Sequence, residues 1–234
     1  MHRSAKLRDV CTVQIGFSAR RRIRRAQQGG VLTVQLRDVA PNGSVDPARL
    51  ERLQVGNAPT RYLVGAGDVL FRSRGESNTA AVLDDHFREP ALAMLPLFVL
   101  RPDSPAILPE FLAWAINQPR AQRYFDRFAR GTNMRMIPRA VLTDLEVTLP
   151  SLDVQRTVVA LDGLARRERT LSIRAAEERR RLYTRFLEYL ATKPISTGVE
   201  FPFLCDSLRL SFGIPNPART PATRSTPHGP ADID

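Results

Sequence analysis

The rhythm of apolar and polar positions changes near residue 150. Before it, short apolar runs alternate with polar turns. "GVLTVQLRDV" (30–39) reads as a strand and is followed by "APNGSVD", a turn composition. "YLVGAGDVLFRSRG" predicts strand–turn–strand, punctuated by Gly65 and Gly67, with Asp68 ahead of the β-rich "VLF". "ALAMLPLFVLRP" is a continuous apolar run and predicts a buried strand, held to an edge or bulged by Pro96. A helical pair follows. "LPEFLAWAINQ" has Pro109 near its first position, Glu110 in its first turn and an apolar face of Phe111, Leu112, Ala115 and Ile116. Pro119 starts a second helix, "PRAQRYFDRFARG", with Gly131 expected as its C-terminal cap. "LTDLEVTLP" (142–150) predicts the last strand of the domain.

From Ser151 the period becomes helical. Leu161, Leu164, Leu171, Ala175 and Leu182 fall close to a heptad seam, with Glu168 and Glu178 at seam positions. Phe186, Tyr189 and Leu190 continue the face with a one-residue slip. Ser151 is placed to N-cap the helix, and Asp153 suits its N-terminal dipole. A helix over 153–190 would be roughly 55 Å long at about 1.5 Å per residue. Its apolar seam requires a partner helix. After Lys193, "NPARTPATRSTPHGPADID" has the Pro- and Thr-rich composition of a disordered tail. The chain is therefore read as α+β: a mixed α/β domain over 1–150, a long coiled-coil-forming helix over 151–192, and a tail over 193–234.

Charge narrows the function. The net charge is +11 and the pI about 10.9, which points to a polyanion partner. The only lysines are Lys6 and Lys193. A GC-rich genome would explain arginine over lysine, but not the excess of basic over acidic residues. No apolar run is long enough to span a bilayer, and "MHRSAKLRDV" lacks a signal-peptide core, so a cytoplasmic protein is expected. Cys11 and Cys205 lie too far apart for a metal motif and read as reduced thiols.

Catalytic patterns are missing. His86 in "DDHFRE" has no second histidine placed to complete a metal site and reads as a polar turn. "RGESN" is not a nucleophile elbow, and "GAGDV" lacks the third glycine and helix of a dinucleotide fingerprint. Ser4 and Ala191 stand two residues before the lysines, so the carboxylate–x–Lys pattern of a common metal-dependent nuclease is absent. No cofactor and no metal are expected. What remains is basic loops. "FSARRRIRRAQQGG" holds Arg20, Arg21, Arg22, Arg24 and Arg25; "FRSRGESNT" sets Arg72 and Arg74 beside Asn78; "FARGTNMRM" carries Arg130, Thr132, Asn133 and Arg135. Arginine pairs with guanine, asparagine with adenine, and threonine can contact base edges or phosphate, so these loops suit base readout with phosphate anchoring. The alternative for each is a solvated charged turn.

In order along the chain, these pieces resemble the specificity (S) subunit of a type I restriction–modification system. "KLRDVCTVQIGFSARR" resembles the opening of its target recognition domain, and "GAGDVLFRSRGE" that domain's Gly-Asp-Val-Leu strand and glycine turn. "LPEFLAWAINQPRAQRYFDRFARGTNMRMIPRAVLTDLEVTLPSLDVQ" resembles its helix pair, loop, last strand and Pro-x-Leu-x-x-Gln ending, with Gln155 at a subunit-contact junction. The resemblance covers roughly residues 5–192. Such subunits usually carry two recognition domains and two spacer helices, so this chain resembles a half-subunit. The resemblance implies a non-catalytic DNA-binding subunit that aims methylation or cleavage at a bipartite site. It also implies partners: double-stranded DNA, methyltransferase (M) subunits, a restriction/motor (R) subunit, and a second copy or another half-subunit through Leu161, Leu164, Leu171, Ala175, Leu182 and Phe186. The alternatives are a truncated S-like scaffold, or a stand-alone DNA-modifying enzyme with an unrecognised motif.

Overall fold

The computed structural model describes residues 3–19, 24–26, 28–56, 59–131 and 135–192. In chain order its elements are β1 (Arg3–Lys6), β2 (Cys11–Ile15), β3 (Val31–Val34), β4 (Glu51–Leu53), β5 (Leu63–Val64), β6 (Val69–Arg72), β7 (Ala80–Val82), β8 (Ala91–Ala93), β9 (Leu97–Pro102), α1 (Pro109–Asn117), α2 (Pro119–Phe128), α3 (Arg139–Asp144), β10 (Glu146–Leu149) and α4 (Leu152–Thr192). The chain divides into two compact units, Met1–Leu171 and Ser172–Asp234. The first holds the α/β head and α4 as far as Leu171. The described part of the second, 172–192, is helical throughout.

The main sheet is antiparallel, in the order β2-β9-β6-β7. A second sheet runs β4-β3-β8-β5, with β3 and β8 parallel. β1 pairs with β10, so the first strand closes on the last strand of the head. Side chains alternate across a strand, and β6 and β9 show what that does here. Val69 and Phe71, with Phe98 and Leu100, enter a core roofed by α1, α2 and α3. Leu70, with Leu97 and Val99, enters a second core with Val34, Leu83 and Ala91. Both faces of these strands are buried, which is why "VLF" and "LFVL" are continuously apolar. Phe71 lies at the centre of the first core, its ring 5.2 Å from that of Phe125 and 6.3 Å from that of Phe98.

Three local expectations are corrected. "ALAMLPLFVLRP" is not one strand. It makes β8 in one sheet and β9 in the other, joined by a turn through the cis Leu95–Pro96 bond. The break falls where proline lacks the N–H a ladder needs. "LTDLEVTLP" is not all strand either, because "RAVLTD" forms α3, which buries Leu142. Pro138 sits just before that helix, a position where a missing N–H costs nothing. Gly131 does not cap α2. The helix stops at Phe128, Ala129 donates to the Phe125 carbonyl, and Gly131 takes φ +97° in the loop beyond. The strand–turn–strand reading of "YLVGAGDVLF" agrees with β5 and β6, and Gly67 donates to the Leu83 carbonyl at 2.8 Å in the turn between them. The expected tail, 193–234, lies outside the described residues.

Candidate nucleic-acid interface

The register of the main sheet decides where the basic segments emerge. Ile15 is opposite Phe98, Arg72 opposite Leu97, and Phe71 opposite Ala80. The exits of β2 and β6 and the entries of β7 and β9 therefore share one end of the sheet. The arginine-rich segment leaves from β2, and the Arg72–Thr79 loop joins β6 to β7. The third segment is brought to the second by backbone pairing. Ile137 donates to the Ser73 carbonyl at 2.8 Å, and Gly75 to that of Arg135 at 3.0 Å. Arg130 and Met136 exchange two hydrogen bonds of 2.9 Å. Two segments far apart in sequence, 72–79 and 130–137, thus meet at one place, at the sheet end from which the arginine-rich segment leaves.

The β8–β9 turn lies between the first two segments and bonds to both. Phe17 donates to the Ala93 carbonyl at 2.7 Å, Gly16 to Leu97 at 2.8 Å, and Leu95 back to Phe17 at 2.9 Å. On the other side the Ser73 hydroxyl donates to the Pro96 carbonyl. Gly16 has no room for a side chain, since a Cβ there would sit 2.8 Å from the Met94 carbonyl group.

The individual side chains sort into two groups. Arg24, Arg74 and Arg130 are exposed and form no ion pair among the described residues; Arg74 also reaches the Met136 sulfur at 3.5 Å. Arg25 is exposed but pairs with Glu51, which Arg37 also holds at 2.7 Å. Arg135 pairs with Asp126. Arg72 is half-buried and donates to the Val39 carbonyl at 2.8 Å, so it braces the scaffold. Asn78 is only 2% exposed. Its side-chain amide nitrogen donates to the Arg72 carbonyl, and its backbone carbonyl accepts from the Gln122 side chain, both at 3.0 Å. Asn78 therefore shapes the loop and does not offer its amide to a base. Arg20, Arg21, Arg22, Thr132 and Asn133 lie outside the described residues. Sequence reasoning passed over Arg127 and Phe128, exposed in the last turn of α2 next to Arg130. A basic residue in a last turn looks like an ordinary dipole partner, and only the fold shows which end it occupies.

The opposite end of the sheet holds the helix. Gln155, in the first turns of α4, is 0% exposed. Its Oε1 accepts from the Leu108 N–H at 2.9 Å, and its Nε2 donates to the carbonyls of Ala106 at 2.7 Å and Pro150 at 2.9 Å. Ala106 and Leu108 belong to the segment leaving β9 at that end. The residue expected at a subunit contact is instead buried inside this chain. Further along, Arg166 donates to the Asn42 carbonyl at 2.8 Å and pairs with Asp162. Leu161, Leu164, Leu171 and Leu182 are each more than 60% exposed; Ala175 is exposed and Phe186 half-buried.

Among the described residues, no group of three or more His, Cys, Asp or Glu side chains could hold a metal, and no helix is long and apolar enough to cross a membrane. An apolar groove of about 310 Å³, lined by Phe111, Trp114, Ala121, Val147, Val154 and Val158, opens beside the start of α4. It is remote from the basic end.

No protein-family model and no curated protein sequence matches this chain. Solved structures do resemble it. A chain from a type I R-M system, solved to explain complex assembly and conformational transition, matches with a TM-score of 0.59 and 21% identity, over 78% of this chain and 43% of that one. The HsdS subunit from Thermoanaerobacter tengcongensis matches with a TM-score of 0.58 and 19% identity, over 86% of this chain and 51% of that one. At these identities the likeness is one of fold: a mixed α/β head followed by a long helix. The chain spans about half the length of either.

Proposed function

We propose that this chain is a sequence-specific DNA-binding subunit of the type I S kind, in a form with a single recognition head. The observation that carries the reading is the convergence of basic segments at one end of the main sheet, on a fold shared with HsdS. Arg74, Arg127 and Arg130 are exposed cations of that end, Arg24 lies further along against β4, and Arg20, Arg21, Arg22, Thr132 and Asn133 belong to the same segments. Arg25 and Arg135 join them once Glu51 and Asp126 release them to phosphates.

The helix α4 is the spacer. Its exposed seam pairs antiparallel with a second copy or another half-subunit, giving two heads and hence a bipartite site. The distance between half-sites follows from that pairing. Methyltransferase subunits and a restriction/motor subunit act on the DNA that the pair holds, and this chain performs no chemistry. The net charge of +11 fits such a role, because phosphate contacts supply much of the affinity.

The test uses the full chain, with and without methyltransferase subunits, on a pool of randomised duplexes. A bipartite motif should be enriched, with affinity falling steeply as salt rises. Equal binding of all duplexes at moderate salt would defeat the reading. Methylome sequencing of a host expressing the system should show adenine methylation at the same motif.

A further inference from the structure

Among the described residues ahead of α4, the large apolar side chains left exposed are Ile15, Leu95, Phe128 and Met136. All four stand at the basic end: Ile15 closes β2, Phe128 closes α2, Met136 pairs with Arg74 and Arg130, and Leu95 tips the β8–β9 turn. A protein that only gripped phosphates would gain nothing from apolar groups among its arginines. Leu95 is the one held from both sides. Its own N–H is bonded to Phe17, at the root of the arginine-rich segment, while the next carbonyl, that of Pro96, accepts from Ser73 between Arg72 and Arg74. Met94 is fixed to β3 by a 2.9 Å bond to the Val34 carbonyl, and the absence of a side chain at Gly16 lets the turn seat closely. The result is a pre-positioned apolar tip between cationic loops.

Resting on the DNA-binding reading above, we propose that Leu95 is a specificity-determining residue that packs on the 5-methyl group of a thymine in the major groove. The major groove presents that methyl as its only apolar mark, and small apolar side chains read it. Leu95 is 46% exposed, so much of its surface already rests on the protein. A side chain on a turn bonded from both sides is held at a fixed position, which suits contact with one methyl at a defined base pair.

The experiment takes the full chain in its DNA-binding assembly and the motif it selects from randomised duplexes. Each half-site should contain a thymine whose replacement by deoxyuridine weakens wild-type binding about fourfold, the worth of one buried methyl group. L95A should lose the preference at that position alone and become indifferent to deoxyuridine, while L95M retains it. The deoxyuridine arm needs no variant, so it decides even if L95A folds poorly. A motif in which no thymine methyl matters overturns this proposal and leaves DNA recognition standing. No motif at all overturns both. A change in DNA bending without methyl dependence would make Leu95 a wedge. Loss of methyltransferase binding with an unchanged motif would make it a protein contact. Either result refutes the assignment.

Discussion

The two ends of the main sheet are built on different principles. At the anchor end the polar group that joins the helix to the head faces inward. Gln155 is buried completely and spends its amide on three backbone groups. At the basic end cations face outward, with apolar tips among them, and the buried polar groups, Asn78 and Ser73, serve only to hold loops in place. Inward polarity fixes a position, because an unmade buried hydrogen bond is costly. Outward charge leaves donors available to a ligand. The pair of ends is what the proposed reading head, fixed to a spacer helix, requires.

Gln155→Leu should separate the ends most sharply. It leaves the Leu108 N–H and the carbonyls of Ala106 and Pro150 without their partner, at an expected cost of about 3 kcal/mol from unmade bonds of roughly 1 kcal/mol or more each. Urea denaturation measures it. Gln155→Glu keeps the acceptor, loses the donor, and should also destabilise. At the other end, Arg74, Arg127 and Arg130 changed together to Ala should leave the melting temperature within a few degrees. The slope of log affinity against log salt should then fall by about 2.7, from roughly 0.9 per phosphate contact. If that triple variant unfolds instead, the basic end is structural and the contrast between ends fails.

A subtler test displaces the turn without touching a charge. Gly16→Ala places a Cβ 2.8 Å from the Met94 carbonyl group and must push the β8–β9 turn away. The expected cost is about 1–2 kcal/mol, typical of overpacking, and DNA selectivity should suffer more than total affinity.

The smallest effect concerns Cys11, at the anchor end of β2. It is buried and donates to the Leu7 carbonyl at 3.2 Å. Burial, helped by the nearby Asp103 carboxylate, pushes its thiol from the ordinary 9.0 up to about 12. Between those values the unfolded chain ionises while the folded protein keeps its proton. Stability is therefore lost as pH rises from about 9 towards 12. In a Cys205→Ser background, Cys11 should stay unreactive to thiol reagents at pH 8 until urea unfolds the head. Rapid labelling of the folded protein would contradict its burial.

Much of the head was legible because its strands bury both faces. "VLF" and "LFVL" are apolar without alternation, and their shortness and the Gly and Pro that flank them favour buried strands. The helical pair was legible from Pro109 and Pro119. What stayed hidden were features set by tertiary contact. "ALAMLPLFVLRP" gives no sign that its halves serve different sheets. "RAVLTD" is too short for its helical period to stand out from the following strand. Gln155 resembles any polar residue in a first helical turn, and only the position of Ala106 and Leu108, some 47–49 residues earlier, makes it a clamp. Asn78 illustrates the opposite case. Its chemistry suits adenine, but local geometry turns it inward. Residue type suggested which loops to consider, and register decided which side chains they present.

The most direct measurement is site-specific photo-crosslinking of the DNA-bound assembly from each end of the sheet. A photoreactive residue at position 74 or 130 should crosslink to duplex DNA in high yield. The same residue at position 106 or 110, by the helix anchor, should crosslink to little or none. Equal yields, or crosslinks confined to positions 106 and 110, would contradict the assignment of the basic end as the surface that reads DNA.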